Sequence, residues 1–161
     1  MSDPALAAWL RSFDDVFGHS WESVAQALDG VTEDVADWQS PAYAEEEREA
    51  GWPAPGTIAW HVAHLAFCKR HYTRILRARA AVPDVEPREP LSTFADELDA
   101  LRRAHAEQRE AIEGLEPADL DRVVGHQREM SIAEFLAMMI RHDAWHAGQI
   151  AVVRRLHRTR I

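Results

Sequence analysis

The chain has 161 residues, 27 acidic and 18 basic, and nearly half are hydrophobic on an inclusive count; this fits one core and one domain, 1–161, and excludes a disordered chain. No apolar run approaches the ~20 residues that cross a bilayer, and a net charge of −9 disfavours a protein that neutralises nucleic-acid phosphates. Asp3, Arg11, Asp14 and Asp15 interrupt any secretory apolar stretch, so a cytoplasmic protein is expected, and a lone cysteine, Cys68, excludes an internal disulfide or a multi-cysteine zinc site.

Prolines divide the chain at Pro4, at Pro41, Pro53 and Pro55, at Pro83, Pro87 and Pro90, and at Pro117. Each cluster interrupts a helix, because proline lacks the N–H donor and clashes with the preceding turn. Between them the apolar residues recur at three- and four-residue steps, which predicts four helices and no strand. The first spans about Asp3 to Leu28, with Leu6, Leu10, Phe13, Phe17, Val24 and Leu28 on one stripe, a possible bend at Gly18, and Gly30 past its end. The connection from Val31 to Gly56 is too long for a tight turn. It is expected to cross the bundle and cover one end through Trp38, Tyr43 and Trp52, with Glu45 to Glu49 as a solvated charge run or one extra helical turn.

The second helix starts after Thr57, a suitable N-cap, and runs to about Ala80, with Ile58, His61, Leu65, Cys68, Tyr72 and Ile75 on one face. The third starts at Ser92 or Thr93, carries Phe94, Leu98, Leu101, His105, Ile112 and Leu115, and ends at Gly114 and Pro117. The fourth opens with Ser131 and Glu134 at capping-box spacing and points Ile132, Phe135, Met139, His142, His146, Ile150 and Val153 inward. An all-α four-helix bundle follows. Arg154, Arg155, Arg158 and Arg160 near the end of the last helix suit the negative end of its dipole. The scarcity of lysine, with Lys69 alone against seventeen arginines, reads as the coding bias of a GC-rich genome.

Chemistry concentrates in His142-Asp143-Ala144-Trp145-His146. Residues four apart on a helix share a face, so two imidazoles can grip one ion. Both replace apolar residues on the inward stripe, where a buried imidazole costs desolvation unless it finds a partner. The second helix also turns His61 and His64 inward, and bundles build metal sites from facing helices. A hydrogen-bonded core of neutral histidines is the alternative. Periodicity does not choose between His61, near the centre of the stripe, and His64, about 60° to one side.

The stretch Trp52-Pro53-Ala54-Pro55-Gly56-Thr57-Ile58-Ala59-Trp60-His61-Val62-Ala63-His64-Leu65-Ala66, followed downstream by His142-Asp143-Ala144-Trp145-His146-Ala147-Gly148-Gln149-Ile150, resembles the DinB/YfiT-like family of four-helix metal-binding proteins. The resemblance spans essentially the whole chain in helix count and spacing, but only these two motifs are specific. It implies that His64, His142 and His146 hold a divalent metal, often zinc or nickel. It also implies a homodimer and an enzyme using a low-molecular-weight thiol such as bacillithiol, mycothiol or glutathione, as an S-transferase or isomerase acting on a small electrophile.

Three neutral imidazoles leave a divalent ion its charge and an open position, the arrangement of catalytic rather than structural zinc. A thiol with a normal pKa of about 8.5 loses its proton on coordinating such an ion. The same three ligands suit a hydrolase using metal-bound hydroxide. A non-catalytic metal-binding stress-response bundle and a plain scaffold without metal are further alternatives.

Around the presumed ligands, Cys68 is read as a core residue, with closure of the metal site as the other option. His61 is expected to line the pocket or support a ligand from behind rather than to coordinate. His105, with Gln108, either lines the same cavity or is a hydrogen-bonded core residue. Asp143, about 100° from His142, is expected at the surface or behind the ligands. His71 lies about 10 Å along the helix from His64, too far to share an ion. Trp60 and Trp145 either wall the pocket or pack between helices. His19, His126 and His157 have no constellation around them.

Overall fold

Asp3 starts the first helix: its carboxylate accepts from the backbone N–H groups of Ala5 at 2.8 Å and Leu6 at 3.3 Å, and Pro4 supplies a preset φ. The computed structural model describes residues 3–83, 91, 93–125 and 128–159. Among them are six helices: α1 (Pro4–Gly18), α2 (Val24–Leu28), α3 (Glu33–Asp37), α4 (Ile58–Ala78), α5 (Phe94–Glu113) and α6 (Ile132–Thr159). The four long ones, α1, α4, α5 and α6, form the all-α bundle. Pro87, Pro90, Ser92, His126 and Arg160 lie outside the described residues.

The single first helix expected over 3–28 is instead two. After Gly18 the chain extends at His19, Glu22 takes a left-handed φ of 53°, and Ser23 restarts the helix by accepting from Gln26 N–H at 3.1 Å. The Ser23 hydroxyl donates back to the His19 carbonyl at 2.5 Å. A buried serine thus satisfies backbone groups that continuous helix would have paired internally, which apolar periodicity does not register.

The other long helices begin where their caps place them. Thr57 accepts from Trp60 N–H at 3.0 Å and Thr93 from Asp96 N–H at 3.1 Å. Ser131 and Glu134 exchange both capping-box bonds, at 2.8 and 3.2 Å. Immediately before α6 stand two short strands that the expectation of no strand missed: β1 (Val123–Gly125) pairs antiparallel with β2 (Glu129–Ser131), and Val124 opposite Met130 is buried. Three-residue strands are too short for alternation to reveal.

The connection between α2 and α4 does cover the bundle. It carries α3 and a single 3-10 turn at Pro41–Tyr43, whereas Glu45 to Glu49 are exposed and non-helical. Glu33 accepts from Phe94 N–H at 2.8 Å, tying α3 to the start of α5, and the Gln39 amide donates to the carbonyls of Tyr43 at 3.0 Å and Pro55 at 2.9 Å. Tyr43 lies across Gly56, whose φ is 71° and where a Cβ would sit 2.5 Å from the ring. Only glycine meets both conditions. Arg154 neutralises a helix end other than its own, donating to the Ala27 carbonyl at 2.6 Å and the Asp29 carbonyl at 2.6 Å where α2 ends.

Two apolar clusters fill the bundle. One gathers Leu6, Phe13, Tyr72, Leu76, Ile112, Phe135 and Met139; the other gathers Val24, Ala36, Ile58, Val62, Leu65, Leu101, Ile150 and Val153. Between them, polar side chains occupy the interior: Lys69 on α4, Gln108 on α5, and Asp143 and His146 on α6. No described helix is long and apolar enough to cross a membrane.

Candidate metal centre

The stripes of α4 and α6 that build the core also deliver the histidines. His142 and His146, one turn apart on α6, meet His64 from α4, and one ligand nitrogen from each lies within 4.8 Å of the others. His64 Nε2 stands 3.3 Å from His142 Nε2, which stands 3.2 Å from His146 Nε2. A tetrahedral ion bound at about 2.0–2.1 Å separates its nitrogen ligands by roughly 3.3–3.4 Å. The donor set therefore fits a divalent metal in both chemistry and spacing, and the three-histidine cluster can hold one.

Electrostatics favour the form a metal needs. Burial, reinforced by His142, holds His64 down at about 4. Burial, with the neighbouring imidazoles of His142, His64 and His61, holds His146 at about 2. Both rings are neutral at pH 7, with lone pairs available. His64 is also fixed by packing, its ring stacked on Trp60 at 4.9 Å and 12°. Trp52, from the long connection, covers the same corner 6.2 Å from His64, while Trp145 stands edge-on to His146 at 4.9 Å and is 59% exposed. Both Trp60 and Trp145 flank the cluster, and Trp52 is the anchor that brings the connection to it.

His61 does not belong to the converging set. It is buried one turn before His64, and its Nδ1 lies 2.9 Å from Nδ1 of His146, on the edge of that ring away from His142. Cys68 Sγ is 3.4 Å from His64 Nε2 but is likewise not part of the set. Burial pushes its thiol up to about 11. His105 packs elsewhere, stacked against Phe13 at 4.4 Å and Phe17 at 3.6 Å, and burial, with Lys69 and Arg109 nearby, lowers it to about 3. His71 is buried against Tyr72 and outside the cluster. His19 bonds its own turn at Trp21, and His157 sits edge-on to Trp38.

Asp143 is not a ligand, as expected, but neither is it at the surface, and Lys69, notable in the sequence only for the scarcity of lysine, is its partner. Asp143 is 2% exposed and Lys69 1%; they pair at 2.5 Å in the core. Lys69 also donates to Gln108 Oε1 at 3.2 Å, and the Gln108 amide reaches Met139 Sδ at 3.2 Å. Burial raises the Asp143 carboxyl above its ordinary range against the pull of the Lys69 ammonium. A signal was present: Leu65, Lys69, Tyr72 and Leu76 follow one helical stripe, as do Met139, Asp143, His146 and Ile150. A charge on each of two facing stripes is a pairing pattern.

Compared with known proteins, the chain matches the family profile described as the DinB superfamily over residues 17–150. No curated protein and no solved structure gives a significant match. The match spans most of the chain, which therefore belongs to the DinB superfamily.

Proposed function

We propose that this DinB-superfamily chain is a metal-dependent enzyme that activates a low-molecular-weight thiol and transfers it to, or uses it to isomerise, a small electrophile. The observation that carries this reading is a set of three imidazole nitrogens that, among the described residues, no carboxylate or thiolate joins. A zinc or nickel ion held by His64, His142 and His146 supplies positive charge that lowers the pKa of a coordinating thiol. The chain's own contribution is to keep His64 and His146 neutral and to hold His64 against Trp60. Trp52, Trp60 and Trp145 offer apolar, polarisable faces beside the cluster for the electrophile.

The reading includes a homodimer. Trp145, Val152 and Leu156 stand exposed along one face of α6, and a Cβ at Gly148 on that helix would meet nothing within 4 Å of this chain. Intrachain packing does not call for that glycine, whereas close approach of a second copy of α6 would. Light scattering on wild type and Val152→Glu checks this, with the variant expected to be monomeric.

The deciding experiment measures metal by plasma mass spectrometry on untagged protein, followed by loss of monochlorobimane with mycothiol, bacillithiol or glutathione. Stoichiometric metal and thiol-dependent turnover are expected. Turnover of an ester or amide without thiol dependence moves the same site to the hydrolase reading. Folded protein that refuses zinc and nickel removes the metalloenzyme reading.

A further inference from the structure

We propose that His61 is a positioning residue: it holds the proton of His146 on Nδ1 and so commits the Nε2 lone pair of His146 to the three-histidine centre. This rests on the metal-binding reading above and concerns a residue that lies outside the ligand set. A neutral imidazole carries one donor nitrogen and one acceptor. The 2.9 Å contact joins Nδ1 of His61 to Nδ1 of His146, so one proton lies between them.

Two arrangements are possible, and they differ in consequence. If His61 donates, His146 accepts at Nδ1 and its own proton moves to Nε2, where it points at His142 Nε2 only 3.2 Å away. That ring has no lone pair to offer an ion. If His146 donates, its Nε2 is free of hydrogen and faces His142 and the centre. Only the second state can ligate, so the pairing couples the tautomer of His146 to metal binding.

The two helices thus orient their ligands by different means. His64 is held by its stacking on Trp60. His146 is held by a hydrogen bond from its far edge, with the two rings 5.1 Å apart and inclined at 64°. Metal-binding histidines generally donate their second N–H to a carboxylate, carbonyl or water. Here the acceptor is a neutral ring, buried on the same helix as His64. A neutral acceptor orients the ligand without adding negative charge, which preserves the Lewis acidity of a bound ion. The 2.9 Å bond already engages His61 Nδ1 on the wrong edge of His146 for His61 to act as a fourth ligand.

The test compares wild type, His61→Asn and His61→Leu. Asparagine places an amide oxygen near the position of Nδ1, whereas leucine fills space without an acceptor. Zinc affinity is measured by competition with a chromophoric chelator, and circular dichroism of the metal-free proteins checks folding. His61→Leu is expected to bind zinc about 10–100-fold more weakly, with His61→Asn close to wild type. A purely packing role predicts the reverse, or no difference; folded His61→Leu with wild-type affinity overturns the proposal. Ring nitrogen NMR on metal-free, histidine-labelled wild type gives a second readout, independent of zinc. A proton on Nδ1 of His146 supports the pairing and a proton on Nε2 overturns it. Wild type that binds no zinc removes the metal reading, and the NMR result then decides the His61 pairing by itself.

Discussion

Two polar assemblies lie between the apolar clusters, both built across α4 and α6, and they are chemically unlike. Lys69, Asp143 and Gln108 close on themselves: the ammonium meets a carboxylate and an amide oxygen, and the amide NH₂ meets Met139. The histidine cluster does not close in this way, because its ring nitrogens converge at 3.2 and 3.3 Å without a carboxylate in the set. A completed ion pair ties two helices together, whereas an assembly with surplus acceptors invites a cation. Lys69 is five residues beyond His64 and Asp143 adjoins His142, so the two assemblies are neighbours on the same pair of helices.

Substitutions should separate the two assemblies. His142→Ala is expected to abolish zinc or nickel loading while leaving most of the helicity of the metal-free protein, read by metal analysis and circular dichroism. Unchanged loading would sink the ligand assignment. Lys69→Met should cost about 3–5 kcal/mol in urea denaturation, because it strands a buried carboxylate. Pairing it with Asp143→Leu should recover most of that loss, since a well-packed apolar pair does not carry the desolvation of two ions. If Lys69→Met is no more destabilising than His142→Ala, the contrast between the assemblies collapses.

A smaller effect sharpens the same contrast. Zinc at a hundredfold excess over its dissociation constant should stabilise wild type by about 2.7 kcal/mol, and His142→Ala should lose this response. The least of these effects concerns His105, beside the closed assembly. Its folded pKa is about 3, below its ordinary 6.5. The unfolded chain therefore takes up this proton first, so stability is full above about pH 6.5 and declines as pH falls toward 3. His105→Phe should flatten that part of the pH profile measured by thermal melting; an unaltered slope would show that burial does not keep His105 neutral.

Local chemistry was the legible part of the fold. Thr57, Thr93 and the Ser131–Glu134 pair cap their helices because each bond joins residues only three apart in the same chain segment. His142 and His146 were likewise visible as a pair, since four-residue spacing fixes a shared helical face. A bend at Gly18 was legible and α1 does end there, but the full break over residues 19–23 was not, because it depends on Ser23 finding the His19 carbonyl and on the left-handed turn at Glu22. Nor was the pairing of β1 with β2, which places Val124 and Met130 in the apolar core.

The sequence by itself determined four long amphipathic helices, their starts, and the histidines that face inward. Its periodicity left His61 and His64 as equals, since both turn toward the bundle interior, and the family resemblance pointed to His64. Only the tertiary structure set His64 against His142, sent His61 to the far edge of His146, and buried Lys69 against Asp143. Periodicity fixes the azimuth of a side chain on its own helix, whereas a contact between helices also needs their relative rotation and axial shift. Those two quantities are set by the packing of both apolar clusters together, to which every helix contributes.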